Sequence, residues 1–564
     1  MNGRRLLPFL NWPRPSVAGL LADAGAGIAV GLVLIPQALA YARLAGMPAP
    51  TGLYAALLPG IVGVLWGSSP LLAAGPVALT SLLTFGALQP FAVPGTVEWV
   101  GVAVWLALYA GLIQFGLGAL RLGAIANLVS GPTITGFINA AALIIVASQL
   151  PALLGLPSGL DTSWPARTLT VLAERPLATA GSAAFGLGAV LLLFALRRYR
   201  PRQPGVLYVC VLGIVVSHYG GFAELGGSVV GPVGGGLPEF ALPPALDFEQ
   251  HRALLPAALI VALVSFTEAM SSARTLARKR GERWDEDQEL IGQGLAKIAS
   301  GLSGAFPVSG SFSRSALNLY AGARSGWSAL FASLCVLLCL LWGMDYLQPL
   351  PQAVLAAVII VPVLGLVDVA AMRRLWRISP DDGLVAAIAF AATLFSVPHL
   401  HWGVFAGFMA SMIASLYRRS QPRIVELGML PDGRLRERSR YGLGPIAPDL
   451  LAVRPDTAIV YVTAALIEDF ILDRLHAGVR HVLLVGSAVN DLDATGLDML
   501  LQLRANLAER GVTLYLCALK RPVWELLEHA GAADVFGRRQ CFRTEREAIT
   551  ALRAGPARSD GHGA

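Results

Sequence analysis

The chain has 564 residues and a formal net charge of +7, and 55% of its residues are hydrophobic while only 14% are charged. Charged residues make up about a quarter of an ordinary soluble domain, so this composition indicates an integral membrane protein. No dense basic tract is interleaved with aromatic residues, so we expect no nucleic-acid partner. The cysteines lack metal-ligand spacing, and His399 and His401 have no third ligand nearby, so neither a metal site nor a cofactor is predicted.

Long apolar runs recur from residue 18 to residue 417. A helix needs roughly 20 apolar residues to cross a bilayer, and on that rule about fourteen segments are predicted. The segments 77–90 and 311–322 are too short to cross alone. In chain order the predicted segments are 18–35, 51–67, 77–90, 98–119, 131–150, 178–197, 205–219, 252–271, 290–305, 311–322, 328–345, 351–370, 383–396 and 399–417.

The arginines between these segments indicate which side of the membrane faces the cytoplasm. Cytoplasmic loops carry an excess of Lys and Arg. If the amino terminus lies inside and every segment crosses, the cytoplasmic loops hold Arg197–Arg200, Arg274–Arg283, Arg373–Arg377 and Arg418–Arg419. We therefore expect a multi-pass protein in the lipid bilayer of the cell inner (plasma) membrane, with both termini in the cytoplasm.

The two short segments are the third and the tenth, which is the same place in two halves of seven segments. Seven is odd, so the halves, at about 18–220 and about 250–420, are predicted to be inverted repeats. Gly and Pro precede both short helices, in Ala74–Ala78 and in Pro307–Ser311. Because the start of a helix presents free N–H groups and a positive dipole end, an anion site is predicted at these two helix beginnings. The alternative is that Gly and Pro only mark ordinary loops between membrane helices.

Polar residues inside the predicted spans are further candidates. Glu268 follows a long apolar run, and Ser272 lies one helical turn after it. A carboxylate at this depth is expected to be a proton carrier, a cation ligand or the ion partner of Arg314. Alternatively, Glu268 lies at the cytoplasmic rim. Arg314 either attracts a bound anion or satisfies a helix end, and Gln37 and Tyr41 are either ligand donors or helix–helix hydrogen bonds.

After Arg423 the hydropathy falls, and a small cytoplasmic α/β domain is predicted at 441–556, after a linker at 426–440 and before a disordered tail at 557–564. Asp493 and Thr495 are typical of a helix N-cap, and phosphorylation of Thr495 is the regulatory alternative. The predicted strands are 458–462, 481–485 and 512–518, and the predicted helices are 464–477, 495–510 and 521–530.

Four motifs resemble the sulfate permease (SulP) family of anion transporters: PQALAYA at 36–42, LIGQG at 290–294, FPVSGSFSRSALN at 306–318 and DATG at 493–496. The resemblance covers nearly the whole chain. It implies an all-α polytopic membrane domain (1–425) of two inverted seven-segment repeats, with core and gate subdomains. A cytoplasmic STAS domain of the α/β class follows, usually in a homodimer.

The resemblance also implies roles for individual residues. The anion would lie between the starts of the two short helices, and the substrate-binding residues would be Gln37, Tyr41, Val77, Ala78, Ser311, Phe312, Ser313 and Arg314. The coupling ion would lie near Glu268, Ser272 and Gly310. Ala494 replaces one of two hydroxyl residues found in related sporulation regulators, which argues against phosphoregulation at Thr495.

We therefore expect a secondary active transporter rather than an enzyme. Its substrate is predicted to be a small inorganic anion, with sulfate favoured, and a coupling proton is expected to bind Glu268. A Na⁺-coupled bicarbonate transporter, an H⁺-coupled dicarboxylate transporter, an uncoupled anion channel and a membrane-tethered regulator are the alternatives.

Overall fold

The computed structural model describes residues 7–12, 14–124, 130–156, 176–200, 203–232, 234, 236–238, 243–397, 399–537 and 539–553. The chain divides into two compact units, Met1–Ser411 and Met412–Ala564. The tail predicted at 557–564 lies outside the described residues.

The first unit is helical, and eight helical stretches among its described residues are long and apolar enough to cross a membrane, two of which, Trp327–Leu347 and Gln352–Ile378, combine neighbouring helices. Its helices are α1 (Val17–Leu44), α2 (Ala49–Trp66), α3 (Ala78–Leu88), α4 (Val97–Ala119), α5 (Gly131–Leu154), α6 (Pro176–Tyr199), α7 (Gly205–Tyr219), α8 (Phe248–Arg280), α9 (Glu286–Leu302), α10 (Phe312–Tyr320), α11 (Trp327–Leu338), α12 (Gln352–Leu364), α13 (Val369–Ile378) and α14 (Pro380–Phe395). The last membrane-domain helix, α15 (His401–Arg419), begins in the first unit and ends in the second. A π-helical turn, Cys339–Gly343, extends α11 to Leu347. Every predicted segment overlaps one of these helices.

One helix of this unit was not predicted. The segment predicted at 351–370 ends at Leu364, and α13 begins after Asp368, whose Oδ1 accepts the Ala371 N–H at 2.7 Å. Arginines and large apolar residues alternate along α13, and none of its residues is buried. This pattern is typical of a helix that lies along a surface.

Two short strands interrupt the helices. Strand β1 (Ala73–Gly75) comes directly before α3, and β2 (Ser309–Ser311) comes directly before α10. They pair antiparallel, with Ala74 opposite Gly310. Non-helical backbone at membrane depth must be satisfied by other protein groups, and this pairing does so.

Close packing of small residues fixes α9 against α4. A Cβ atom at Gly111 would lie 2.8 Å from the Gly294 carbonyl, and one at Gly294 would lie 2.5 Å from the Phe115 nitrogen. Glycines at such contacts let two helix backbones approach closely in a bilayer. Glu289 of α9 also accepts the N–H groups of Ser68 and Ser69, at 3.0 and 2.9 Å, and so holds the loop after α2.

The second unit is an α/β domain, as predicted. Its strands are β3 (Ile424–Met429), β4 (Leu435–Glu437), β5 (Leu450–Pro455), β6 (His481–Val485), β7 (Thr513–Cys517) and β8 (Cys541–Phe542). Its helices are α16 (Arg438–Tyr441), α17 (Ala464–Leu472), α18 (Ala494–Glu509), α19 (Arg521–His529), α20 (Ala532–Phe536) and α21 (Glu545–Arg553). The sheet order is β4-β3-β5-β6-β7-β8, and β5 to β8 are parallel.

Two predictions for this unit were wrong. Residues 426–440 are not a linker, because β3 and β4 belong to the sheet and β3 pairs with β5. Residues 458–462 are not a strand either. Thr463 Oγ1 donates to the Ala458 carbonyl at 2.7 Å and accepts the Val460 N–H at 3.1 Å, which holds this segment in a turn.

Candidate functional site

The paired strands bring the beginnings of α3 and α10 together. In the antiparallel register, Ala73 lies opposite Ser311 and Gly75 opposite Ser309. Side chains of α10 fix the pair from one side, because Ser315 Oγ accepts the Ala73 N–H at 2.9 Å and Asn318 Nδ2 donates to the Leu71 carbonyl at 3.3 Å. The two half-helices therefore begin from one rigid backbone unit.

Both helix beginnings are buried. Val77, the N-cap of α3, is 4% exposed, and Ser311, the N-cap of α10, is 5% exposed. No side chain of the described residues caps the first turn of α3. Ser311 Oγ accepts the Arg314 N–H at a long 3.4 Å. Ala78 is buried as well, so the free N–H groups of the first turns lie where water is scarce and where the positive dipole ends favour an anion.

Arg314 joins the two half-helices. Its side chain is buried, and Nη1 donates to the Pro76 carbonyl at 3.0 Å. Within the described part of the chain, Nε and Nη2 have no hydrogen-bond partner. A buried guanidinium with two unsatisfied nitrogens is costly unless an anion completes its hydrogen bonds.

Gly75 makes this arrangement possible. Its φ is +152°, which a residue with a side chain rarely adopts, and a Cβ atom there would lie 3.3 Å from Arg314 Nη2. A larger residue would therefore strain the backbone and crowd the guanidinium.

Helix α1 contributes two polar side chains. Tyr41 is 5% exposed and lies in the electrostatic field of Arg314 and Glu268. Gln37 lies one turn earlier on the same helix, and its Oε1 is buried without a partner among the described residues. Both side chains carry donors that could complete the shell of a bound oxyanion.

Phe312 and Ser313 differ from the other candidates because they are exposed, Phe312 by 53%. Ser313 Oγ lies 3.4 Å from Ser311 Oγ. These two residues therefore belong to the accessible side of the helix beginning, and the buried side is formed by Ser311 and Arg314.

Glu268 lies in the middle of α8 rather than at the predicted end of a span, because the helix continues to Arg280. Its Oε2 is buried and unpartnered within the described residues, and its neighbours include Arg314, Lys297 and Ser309. This environment argues against the alternative of a solvated residue at the rim.

The two expected companions of Glu268 have other contacts. Ser272 Oγ donates to the Glu268 carbonyl at 3.2 Å rather than to its carboxylate. At Gly310 a Cβ atom would lie 2.9 Å from Leu72 Cδ1 and 3.0 Å from Ala269 Cβ, so glycine is needed there for packing.

Three polar residues of the site were not predicted. Thr80, in the first turn of α3, has a buried Oγ1 without a partner among the described residues. Ser309 Oγ donates to the Ser265 carbonyl at 2.8 Å. Lys297 of α9 is 0% exposed, and its Nζ donates to Gln114 Oε1 at 2.9 Å. A single charged residue, a lysine, in the predicted membrane segment 290–305 was the signal that could have identified Lys297.

Two family models match the chain. The sulfate permease family model matches residues 20–389, and the STAS domain model matches residues 445–548. The chain is 31% identical over 556 residues to the probable sulfate transporter MT1781 of Mycobacterium tuberculosis. This match covers 95% of the chain and 95% of the relative. It is 30% identical to the sodium-independent sulfate anion transporter of Bos taurus over 94% of this chain and 89% of the relative.

A solved structure has the same fold. The murine Solute Carrier 26 family member A9 anion transporter superimposes with a TM-score of 0.87 at 23% identity, over 97% of this chain and 94% of that chain. The predicted fold class, a polytopic helical membrane domain followed by a STAS domain, is thereby confirmed.

Proposed function

Because the chain belongs to the sulfate permease family, we propose that this multi-pass membrane transporter is a secondary active transporter of sulfate that is coupled to protons. One observation carries the proposal: the buried Arg314 directs two unpartnered nitrogens into a site where two helices begin. Helix N–H groups and a guanidinium are the donors that tetrahedral oxyanions prefer in proteins. Arg314 with Gln37, Tyr41, Val77, Ala78, Ser311 and Thr80 would form the binding shell, with Phe312 and Ser313 at its accessible side.

Sulfate is favoured over other anions for two reasons. The relatives reported above carry the names of sulfate transporters. In addition, two converging helix ends and a guanidinium offer N–H donors from several directions, which suits the four oxygens of a tetrahedral dianion. Bicarbonate and dicarboxylates remain the competing substrates, and a panel of anions offered to the purified protein distinguishes them.

The paired half-helices also support transport by alternating access. Because β1 and β2 join segments from both repeats, the site moves as one body with α3 and α10. In transporters built from inverted repeats, such a body moves against the remaining helices and exposes its site to each side in turn. An uncoupled channel would instead need a continuous open path.

A co-transported cation or a counter-anion is needed because the substrate is negative and the cell interior is negative. Each elementary charge that crosses against the potential costs about 2.3 kcal/mol per 100 mV. Glu268 is the proposed proton carrier, because its buried Oε2 lacks a partner in the described structure and Arg314 lies nearby. Protonation would cancel its negative charge next to the anion and so strengthen binding. The bovine relative is named a sodium-independent transporter, which favours a proton over Na⁺.

Sulfate uptake into proteoliposomes, with and without an imposed pH gradient, tests this proposal. We expect an inward proton gradient to stimulate uptake by the wild type and not by Glu268→Gln. Glu289→Gln is the matched control, since Glu289 is a buried carboxylate that serves loop N–H groups, and it should keep the pH response. The proposal fails if the gradient has no effect on the wild type or if Glu268→Gln retains the stimulation.

The membrane orientation and the oligomeric state can be tested as well. The arginine-rich loops support an orientation with both termini in the cytoplasm of an inner-membrane protein, which accessibility of engineered terminal cysteines in intact cells would test. The homodimer that the family resemblance implies would be tested by the mass of the purified protein in nanodiscs.

A further inference from the structure

Lys297 is a second buried cation near the site. Its Nζ is directed to Gln114 Oε1, whereas Arg314 is directed to the helix beginnings. A buried ammonium is expensive unless its charge serves a purpose or is balanced. We propose that Lys297 sets the net charge of the site and thereby its preference for divalent over monovalent anions; this inference rests on the transport function proposed above.

A chain of hydrogen bonds connects Lys297 with the anion site. The Nε2 of Gln114 donates to the Ala262 carbonyl at 2.6 Å and to Ser265 Oγ at 3.2 Å, which turns its Oε1 toward Lys297. The Ser265 carbonyl in turn accepts the Ser309 hydroxyl of β2 at 2.8 Å. Gln114 therefore holds Lys297 in a fixed position relative to the paired strands.

Glu268 is the group through which Lys297 acts. It lies one turn after Ser265 on α8, and both Lys297 and Arg314 exert their positive fields on it. Among the described residues, the other elements around this carboxylate present no further charge to it: α3 and β2 contain only uncharged residues, α4 presents the neutral Gln114, and α1 presents the hydroxyl of Tyr41. The second buried carboxylate of α9, Glu289, is bonded to the N–H groups of Ser68 and Ser69.

The charges in the site can therefore be counted. While Lys297 is protonated, the two cations Arg314 and Lys297 face one carboxylate, Glu268, so the site carries one net positive charge when Glu268 is ionised and two when it is protonated. The second state balances a sulfate dianion, and the first balances a monovalent anion. Because a buried net charge is costly, the balanced combination is the stable one. Without Lys297 each count would fall by one, and sulfate would be left unbalanced in both states.

Four variants separate this charge effect from a structural one. Lys297→Met keeps the length of the side chain and removes its charge, and Lys297→Arg keeps the charge. Glu268→Gln fixes the site in the doubly positive state. The double variant Lys297→Met with Glu268→Gln fixes it at one positive charge and removes two opposite charges together, so it is the variant that should fold even if Lys297→Met alone does not.

The experiment measures binding of radioactive sulfate to the full-length protein in nanodiscs, at acid and at mildly alkaline pH, with nitrate as the monovalent competitor. For Lys297→Met we expect the ratio of sulfate affinity to nitrate affinity at acid pH to fall by about tenfold or more, whereas Lys297→Arg keeps the wild-type ratio. The double variant should show the same low ratio as Lys297→Met at acid pH, without a response to pH.

Each outcome bears on one proposal. The role of Lys297 would be overturned if Lys297→Met lost sulfate and nitrate binding equally. It would also be overturned if the ratio of sulfate affinity to nitrate affinity were unchanged in folded Lys297→Met or in the double variant. If the wild type itself bound sulfate equally at both pH values, proton coupling through Glu268 would fail, while the affinity ratio in Lys297→Met would still decide the role of the lysine.

Discussion

The guanidinium Nη1 of Arg314 donates to the backbone carbonyl of Pro76 at 3.0 Å. This bond connects α10 of the second repeat with the residues just before α3 of the first repeat. It uses one side of the guanidinium and leaves Nε and Nη2 without partners among the described residues. Arg314 therefore both fixes the spacing of the two half-helices and supplies charge to the site between them.

Replacement of Arg314 by Gln should lower sulfate affinity by about 10- to 100-fold, which corresponds to roughly 1.4–2.8 kcal/mol, because it removes the full charge. Arg314→Lys should recover part of this loss, since it restores charge but not the planar set of donors. Equilibrium binding of radioactive sulfate measures both. Arg324→Gln, at an exposed arginine after the same helix, is the control. Equal affinity in Arg314→Gln and the wild type would contradict this account.

Gly75→Ala should destabilise the protein by about 1–3 kcal/mol, because alanine at a φ of +152° is strained. Sulfate binding should weaken as well, since the new methyl group would crowd Arg314 Nη2. Thermal unfolding followed by tryptophan fluorescence measures the first effect. Gly116→Ala, where a Cβ atom meets nothing within 4 Å, should leave stability unchanged or slightly raised. The same response from both variants would rule out this explanation.

Asp23 of α1 should be important for stability but not for selectivity. Its Oδ1 accepts the N–H groups of Arg324 and Ser325 at 2.6 and 3.1 Å, and its Oδ2 accepts the Ser325 hydroxyl at 2.6 Å. Asp23→Ala leaves these buried donors unpaired, at a cost of about 3 kcal/mol. The unfolding temperature should fall markedly, while the ratio of sulfate to nitrate affinity at the folded site should not change. A shifted ratio would show that Asp23 contributes to the anion site.

Cys517 in the second unit should be unreactive at neutral pH. Burial, followed by the nearby Glu545 carboxylate, raises the pKa of its thiol from 9.0 to about 12. Maleimides react with the thiolate, so a rise of that size lowers the reactive fraction about a thousandfold at neutral pH. The reactive fraction should increase about tenfold for each pH unit below the pKa. Mass spectrometry after brief labelling should find Cys541, with a pKa of about 11 and partial exposure, modified before Cys517. Labelling of Cys517 first would contradict the structure.

The positions of the half-helices could be predicted because the signals are local. The apolar segments at 77–90 and 311–322 are too short to span a bilayer, and Gly and Pro precede both. These features can be recognised in the sequence without knowledge of the packing. The matched places of these segments in two halves then imply that their beginnings meet, and β1 and β2 pair there.

The predictions that failed depended on distant contacts. The run at 450–455 and the run at 458–462 both resemble strands, and only the parallel pairing with β6 selects the first. Residues 426–440 resemble a linker because their arginines lower the hydropathy around the short apolar stretches that form β3 and β4. Lys297 was missed because its burial depends on the close approach of α9 to α4 at Gly111 and Gly294.

The position of the bound anion can be measured directly with selenate, a sulfate analogue whose selenium scatters anomalously. In crystals grown with saturating selenate, we expect an anomalous difference peak between the first turns of α3 and α10, within hydrogen-bonding distance of their N–H groups and beside Arg314. The site proposed for the anion would be contradicted if no peak appeared there although the purified protein binds selenate. A peak elsewhere in the helical unit would contradict it as well.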